Sequence, residues 1–136
     1  MKKLKIKLKK NYMNYLNNRP KTIICDIDGT LIEHSPPPES SKPNFKMKLI
    51  PGTLETILEW DKKGYNIILV SGRRESMRKV TEKQLNEVGI IYDQLILGVG
   101  GGERHLINDM KPDGRTGTAF SYNLKRNIDG IKNLNI

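Results

Sequence analysis

Two aspartates, Asp26 and Asp28, follow an apolar run and are the residues best placed to do chemistry. The run over residues 22–26 reads Thr-Ile-Ile-Cys-Asp, and a short apolar run of this kind is typical of a buried strand. Gly29 comes next and permits a sharp turn. Ligands of open α/β sheets bind at the carboxyl ends of the strands, so this position favours a site built on the two carboxylates. The alternative is an Asx-turn that closes a surface strand.

A second apolar run, over residues 65–70, ends in Ser71-Gly72-Arg73. A hydroxyl at a strand end, followed by glycine, can present its O–H group and the neighbouring backbone N–H groups to an anion. The alternative is that Ser71 only caps the helix that follows. Because two apolar runs end in residues of this kind, the anion-binding interpretation is favoured.

The elements that must position these residues alternate between strand and helix. Apolar side chains recur at helical spacing after Pro51 and after Glu75, and Thr53 is the expected N-cap of the first of these helices. The predicted elements are strands at 22–26, 65–70, 90–97, 104–109 and 118–122, and helices at 51–64, 75–88 and 123–135. Strand, helix, strand units build parallel sheets. The sequence therefore predicts an α/β fold, a three-layer Rossmann-like sandwich with a mainly parallel central sheet.

The segment Asp26-Ile-Asp28-Gly-Thr30 resembles the first motif of the haloacid dehalogenase-like (HAD) phosphohydrolases, and Ser71 matches their second motif. The resemblance implies that Asp26 is a nucleophile that forms an aspartyl-phosphate. It implies that Asp28 is a general acid and base, which protonates the leaving alcohol and later activates water. Members that remove halide lack a carboxylate at the position of Asp28, so the resemblance favours phosphate monoesters as substrates.

The same resemblance implies how substrate and metal are held. The residues expected to bind the phosphate are Thr30, Ser71, Gly72 and Arg73, together with a further cationic side chain. A hard cation, Mg²⁺, is expected among the Asp26 carboxylate, the main-chain carbonyl of Asp28 and Asp109. Asn108 stands where many relatives carry another aspartate.

The further cation departs from the family pattern. In relatives a lysine or arginine neutralises the nucleophile and the phosphate, but its usual position falls here within the glycine cluster at residues 98–102. The candidates are Arg104, Lys111 and Lys83. We expect Lys111 to take this role, since it follows the predicted strand end two residues after Asp109.

The segments between Thr30 and Pro51 and between Arg73 and Arg104 are too short for the large cap domains of the family. An open site suits a bulky substrate, or a lid contributed by a second subunit of a homo-oligomer. The expected substrate is a sugar phosphate, a nucleotide or a polynucleotide 3′-phosphate. The last of these is suggested because residues 25–30 and 71–75 are similar to the phosphatase domain of polynucleotide kinase 3′-phosphatases.

A chain of 136 residues is long enough for one domain, and its net charge of +9 is unevenly placed. Residues 1–21 contain eight basic side chains and no acidic one. We therefore expect a basic N-terminal extension at 1–19 and a phosphohydrolase core at 20–136. Residues 3–9 alternate charged and apolar side chains, whereas Tyr12, Tyr15 and Leu16 have helical spacing, which leaves an edge strand, a short helix and a flexible arm open. The expected alternatives for such a tail are a solvated, disordered segment and one that contacts nucleic acid or another polyanion.

The chain has no apolar run long enough to cross a membrane, and no apolar segment follows the basic N-terminus, so we expect a cytoplasmic protein. Cys25 is the only cysteine, which excludes an internal disulfide, and we expect it to be a buried strand residue rather than a nucleophile. Two functions remain beside a phosphatase. One is a catalytically weak phosphate-binding or regulatory module of the same fold, and the other is a nucleic-acid-binding protein that uses the basic tail.

Overall fold

The structure is a computed structural model that describes the backbone of residues 1–136 and the side chains of residues 1–11 and 18–136. The helices are α1 (Lys2–Asn17), α2 (Pro37–Ser40), α3 (Thr53–Lys62) and α4 (Arg78–Val88), and the strands are β1 (Thr22–Asp26), β2 (Asn66–Val70) and β3 (Gln94–Ile96). A single 3₁₀ turn, Glu75–Met77, leads into α4. The order β1, α3, β2, α4, β3 is the alternation that the sequence predicts.

The three strands form one parallel sheet in the order β1-β2-β3. Asp26 pairs with Val70, and Val70 pairs with Ile96, so the carboxyl ends of all three strands lie level at one edge. The predicted α/β class and parallel sheet are confirmed, and the described residues include no large cap domain. This shared edge brings the residues that follow β1 and β2 together.

The core lies on one face of this sheet, where alternate strand residues are buried against α3 and α4. Its buried members include Ile23 and Cys25 of β1, Ile67 and Leu69 of β2, and Leu95 of β3, together with Ile57, Trp60 and Leu85 from the two helices. On the other face Ile24 and Ile96 are 54% and 44% exposed. Burial of the first set fixes the strand register, because a slip of one residue would expose it.

Helix α3 begins at Thr53, the residue expected to be its N-cap, so its actual cap lies one residue earlier. The N-cap is Gly52, in the left-handed region at φ 86°, and Thr53 is the first helical residue. The buried hydroxyl of Thr53 instead donates a hydrogen bond of 2.8 Å to the main-chain carbonyl of Leu31. That bond ties the start of α3 to the loop that follows the two aspartates.

The predictions for the C-terminal third of the chain are wrong. No strand forms at 104–109 or 118–122, apart from an isolated bridge between Met110 and Gly117, and residues 123–135 form turns rather than a helix. Leu106 and Ile107 are 61% and 92% exposed. A short apolar segment becomes a strand only where a neighbouring strand pairs with it and a face buries its side chains, and neither contact forms here.

The N-terminal extension is helical, since α1 continues to Asn17. This decides between the three conformations that the sequence left open, although the side chains of Tyr12, Tyr15 and Leu16 lie outside the described residues. Leu4 and Leu8, one turn apart, are about three-fifths exposed. No helix in the described part of the chain has the length and apolar character needed to cross a membrane.

Candidate active site

Asp26 is the last residue of β1 and its carboxylate has a different partner on each oxygen. Thr30 donates its hydroxyl to Oδ2 at 3.1 Å, and Arg104 donates Nη1 to Oδ1 at 3.1 Å. The side chain of Asp26 is 32% exposed. A carboxylate that is held in place and still reached by solvent is suited to contact a ligand.

Asp28 lies two residues further on and is held much more tightly. Arg73 binds it with two charge-assisted hydrogen bonds, Nε to Oδ2 and Nη2 to Oδ1, both 2.9 Å long. The Ser71 hydroxyl is 3.4 Å from Oδ2. This two-point contact fixes the plane of the carboxylate as well as its position, because the guanidinium fork matches the geometry of the two oxygens.

Arg73 is itself enclosed, with a side chain that is only 5% exposed. Its Nη1 donates to the Thr81 hydroxyl at 3.2 Å and to Gln84 Oε1 at 2.8 Å, both on α4. Gln84 in turn donates its amide to the main-chain carbonyl of Ser40 at 2.8 Å. The structure therefore places the guanidinium behind Asp28, bonded to protein groups, and not on the open side of the site where we expected it to meet phosphate.

Thr81 and Gln84 belong to this network, although neither residue is predicted from the sequence to be part of the site. Gln84 stands among apolar residues on the buried face of α4, and both side chains are at most 1% exposed. A polar side chain at a buried helical position needs a hydrogen-bond partner, which is the signal that could have identified it. The identity of that partner depends on a residue in another element and could not be read from the helix alone.

The expected phosphate-binding turn is present at the end of β2. Ser71 is buried and its hydroxyl accepts a hydrogen bond of 3.1 Å from the Arg73 amide. In the described part of the chain, the amide of the exposed residue Gly72 donates to no protein acceptor. An uncommitted N–H group beside the two aspartates can bind an anionic oxygen.

The glycine cluster at residues 98–102 packs against this turn. Gly98 donates its amide to the Arg73 carbonyl at 2.7 Å, and Val99 donates to the Ser71 carbonyl at 3.1 Å. These bonds hold the cluster along the same edge of the sheet. Among the described residues no helix follows the cluster, so it is a connecting segment and not a glycine-rich loop that begins a helix.

The cluster also explains why glycine stands at position 72. A Cβ atom built on Gly72 would lie 3.0 Å from the carbonyl oxygen of Gly100, which is closer than ordinary van der Waals contact. After this close contact the chain continues to Arg104, whose guanidinium donates a hydrogen bond to the Asp26 carboxylate. The glycine cluster thus leads the chain to the position from which Arg104 contacts Asp26.

Lys111, which we expected to supply that cation, lies elsewhere. Its amide donates to the Thr116 carbonyl at 2.9 Å within a turn, and no ion pair joins it to either aspartate in the described residues. Lys83 is on α4 and pairs with Glu87 at 3.6 Å. Arg104 is the candidate that the structure brings to the site, at the end of a glycine cluster in which Gly98 and Gly100 have φ values of 73° and 79°, a backbone conformation that favours glycine.

Asp109, the third expected metal ligand, is exposed and is not grouped with Asp26 and Asp28. No group of three or more carboxylate, imidazole or thiol side chains with metal-binding geometry occurs in the part of the chain that the structure describes. The neighbouring Asn108 donates its amide to the Thr118 hydroxyl at 3.0 Å. The missing fourth strand is the reason, because that strand was expected to place Asp109 beside β1.

The donor chemistry of the two remaining aspartates still suits Mg²⁺. This ion takes oxygen ligands, keeps several waters, and is often bound by one or two carboxylates together with substrate phosphate. The partly exposed carboxylate of Asp26 and the main-chain carbonyl of Asp28, which accepts no backbone hydrogen bond in the described residues, are oxygen donors of this kind. They would hold such an ion without Asp109.

Cys25 is not a second nucleophile. Burial, with a smaller contribution from the negative charge of Asp26, raises the pKa of its thiol to about 12. A thiol acts as a nucleophile in its thiolate form, which is scarce at neutral pH when the pKa is so high. The expectation of a buried strand residue is confirmed.

The fold is α/β with a parallel sheet, and its candidate site lies at the carboxyl edge of that sheet, where Asp26 ends β1, Asp28 follows it and the Ser71 turn follows β2. The family model of the HAD superfamily, subfamily IIIB (acid phosphatase) matches residues 2–128, and the chain belongs to this family. The match confirms the resemblance stated from the motifs. It also includes α1, so the division at residue 19 stays a prediction.

The chain is also similar to parts of several solved structures. One chain in a structure of a Pnkp1/Rnl/Hen1 complex is 31% identical to this chain, with a TM-score of 0.51 over 63% of this chain and 30% of that one. A chain in a structure of the Pnkp1/Rnl/Hen1 RNA repair complex is 33% identical, with a TM-score of 0.49 over 57% of this chain and 25% of that one. The present chain thus spans less than a third of either.

A D,D-heptose 1.7-bisphosphate phosphatase from B. bronchiseptica, complexed with magnesium and phosphate, is 18% identical, with a TM-score of 0.44 over 60% of this chain and 51% of that one. A comparison with curated proteins finds no match.

Proposed function

We propose that this chain hydrolyses phosphate monoesters, with Asp26 as the nucleophile and Asp28 as the general acid and base. The observation that carries the proposal is that two carboxylates only two residues apart differ in exposure and in hydrogen bonding. Asp26 is partly exposed, whereas Asp28 is held at both oxygens by a buried guanidinium. A nucleophile must reach the substrate, which suits the partly exposed Asp26, and a proton-transfer group must be oriented, which the contact with Arg73 does for Asp28.

In this mechanism Asp26 attacks phosphorus and Asp28 donates a proton to the departing alkoxide. Asp28 then takes a proton from the water that hydrolyses the aspartyl-phosphate. Arg73 acts as a positioning residue, since its guanidinium is bonded to Asp28 and α4. Its role therefore differs from the phosphate contact that the sequence suggested.

Thr30, Ser71 and Gly72 are proposed to hold the phosphate oxygens, and Arg104 is proposed to supply the positive charge. Arg104 is near enough to Asp26 to contact a phosphoryl group during its transfer, since the two side chains are 3.1 Å apart. A preorganised cation at this point would stabilise negative charge that develops on the phosphoryl oxygens. Lys111 is not part of this proposal.

Charge balance supports a requirement for Mg²⁺. Asp26 and Asp28 are matched by Arg104 and Arg73, so the arriving phosphate dianion meets a site with no net positive charge in these four side chains. Bound by Asp26 and the Asp28 carbonyl, the ion would supply Lewis-acid stabilisation of the phosphoryl charge.

The open site favours a substrate whose phosphate projects from a larger body. Sugar phosphates, nucleotides and polynucleotide 3′-phosphates all meet this condition. Similarity to a chain of the Pnkp1/Rnl/Hen1 complex, together with the lysines of α1, supports the nucleic-acid end as the first substrate to test. A cytoplasmic location and a homo-oligomer that covers the site stay predictions.

The experiment is hydrolysis of p-nitrophenyl phosphate with and without Mg²⁺ by the parent chain, Asp26→Asn, and Asp61→Asn as a control on the exposed side of α3. We expect turnover that requires the metal, falls by about a thousandfold or more in Asp26→Asn and is retained in Asp61→Asn. Turnover that survives in Asp26→Asn would contradict the mechanism. No turnover in the parent on this substrate or on 3′-phosphorylated oligonucleotides would favour the phosphate-binding module instead.

A further inference from the structure

A C-terminal turn, residues 125–129, is fastened to the loop that carries the two aspartates. The main-chain N–H of Asn127 donates a hydrogen bond to the Gly29 carbonyl at 2.8 Å. The side-chain oxygen of Asn127 accepts a hydrogen bond from the main-chain N–H of His34 at 2.8 Å. The turn is closed on itself by Asp129, whose carboxylate accepts the Lys125 amide at 2.7 Å. One residue thus joins the nucleophile loop to the polar loop that follows it.

Asn127 adopts an uncommon backbone conformation to make these bonds. Its φ of 62° is the only positive φ at a non-glycine residue in the described chain. Asparagine enters this left-handed region more easily than most residues, but it is a conformation that the surroundings must support. Such a residue at the edge of a candidate site is a reason to look for function in its neighbours.

The neighbour is Arg126, whose side chain lies across Gly29. A Cβ atom built on Gly29 would be 2.9 Å from Cγ of Arg126 and 3.7 Å from its Nε. Gly29 also has a φ of 88°, so both the turn and the close approach require glycine there. The stem of the arginine therefore lies against Gly29, one residue away from Asp28.

The guanidinium of Arg126, in contrast, makes no hydrogen bond or ion pair with the protein groups that the structure describes. Arg73 and Arg104 each pair with an aspartate of the site, but among the described residues no carboxylate lies within ion-pair distance of Arg126. The residue is exposed. An anchored but unpaired arginine beside a phosphate site is a ready partner for another anionic group.

We propose, resting on the function proposed above, that Arg126 is a specificity-determining residue that binds a second anionic group of the substrate. The preferred substrates are then phosphate monoesters that carry another phosphate, such as nucleoside or sugar bisphosphates, over monoesters with a neutral leaving group. Asn127 acts as a positioning residue that holds Arg126 against the nucleophile loop.

The test is calorimetric binding in the Asp26→Asn background, where hydrolysis does not consume the ligand. The probes are inorganic phosphate, adenosine 3′,5′-bisphosphate and fructose 1,6-bisphosphate. We expect at least one bisphosphate to bind about tenfold more tightly than phosphate, as one charge-assisted contact allows. The bisphosphate that binds more tightly identifies the nucleoside or the sugar as the preferred scaffold.

Arg126→Gln keeps the stem that packs on Gly29 and removes the charge. It should remove most of the tenfold preference while leaving the affinity for inorganic phosphate within about twofold, since only the contact to the second anion is lost. Arg115→Ala, in the exposed turn near Lys111, should change neither affinity. Arg126→Lys should recover part of the preference, which a purely structural role would not predict.

The proposal is overturned if the bisphosphates bind no more tightly than phosphate, or not at all. It is also overturned if Arg126→Gln lowers affinity for every probe equally. Because binding is measured without turnover, a bisphosphate preference that depends on Arg126 would stand even if the parent hydrolysed nothing. Hydrolysis without such a preference would leave the proposed function intact.

Discussion

Arg73 binds both carboxylate oxygens of Asp28, each at 2.9 Å, across 45 residues of sequence. The pair joins the end of β1 to the turn after β2, and two side chains of α4 complete the arginine's hydrogen bonds. Since Arg73 is 5% exposed and Asp28 is 18% exposed, the contact is shielded from solvent. Removal of either side chain would leave the charge of the other poorly compensated.

The first prediction concerns this pair. Arg73→Ala should lower the free energy of unfolding by about 3 kcal/mol, because it leaves a largely buried carboxylate without its partner. Arg73→Lys keeps the charge but loses the fork, so kcat should fall by about a hundredfold while KM changes little. Urea unfolding and steady-state kinetics measure the two effects. Arg74→Ala, at the exposed neighbouring residue, is the control. If Arg74→Ala lowered stability and kcat as much as the Arg73 variants do, the positioning role of Arg73 would be refuted.

The second prediction separates Arg104 from Lys111. Arg104→Ala should reduce kcat/KM for a phosphate monoester by about a hundredfold, since it removes the cation beside Asp26, the proposed nucleophile. Lys111→Ala should have a much smaller effect, because Lys111 is in a turn that no ion pair connects to the site. Kinetics of the two variants under the same metal concentration decide the matter. A larger loss in Lys111→Ala would favour the expectation from sequence.

The third prediction concerns the close contact at Gly72. The Cβ of Gly72→Ala would meet the Gly100 carbonyl at 3.0 Å, and backbone is harder to displace than a flexible side chain. We expect a loss of about 1–2 kcal/mol in stability, as in other overpacked sites, and weaker binding of inorganic phosphate. Gly101→Ala is the matched control, because a Cβ there meets nothing within 4 Å. If Gly72→Ala and Gly101→Ala have the same thermal stability and the same affinity for phosphate, the contact between Gly72 and Gly100 contributes to neither property.

The fourth prediction uses Cys25. Its pKa is raised from 9.0 to about 12 in the folded chain, so the folded state keeps a proton that the unfolded state loses. The thiol should react with iodoacetamide at pH 8.5 at least about a hundredfold more slowly in the native protein than in urea.

The sign of the pH effect follows from the same shift. The stabilisation that goes with the protonated thiol is complete below about pH 9 and is lost as the pH rises toward 12. The parent should therefore lose part of its advantage in unfolding free energy over Cys25→Ala as the pH rises through that interval. Rapid native alkylation at pH 8.5 would show that the thiol is not enclosed as described.

The sequence was sufficient for the features that depend on short stretches of chain. The apolar runs that became β1 and β2, the amphipathic patterns of α3 and α4, and the glycines that end them are local signals, and the burial of one face follows from them. The positions of Asp26, Asp28 and Ser71 at strand ends were determined in the same way. Parallel pairing then placed those ends at one edge.

Tertiary structure alone decided which cation meets which carboxylate and what surrounds them. Whether Arg73 faces a phosphate or Asp28 depends on Gln84, and whether Arg104 or Lys111 reaches Asp26 depends on the path of the glycine cluster. Asn127 meets His34 across 93 residues. Long flexible side chains and distant loops have no periodic pattern, so their partners are set by the packed geometry of several elements at once and cannot be read from any one of them.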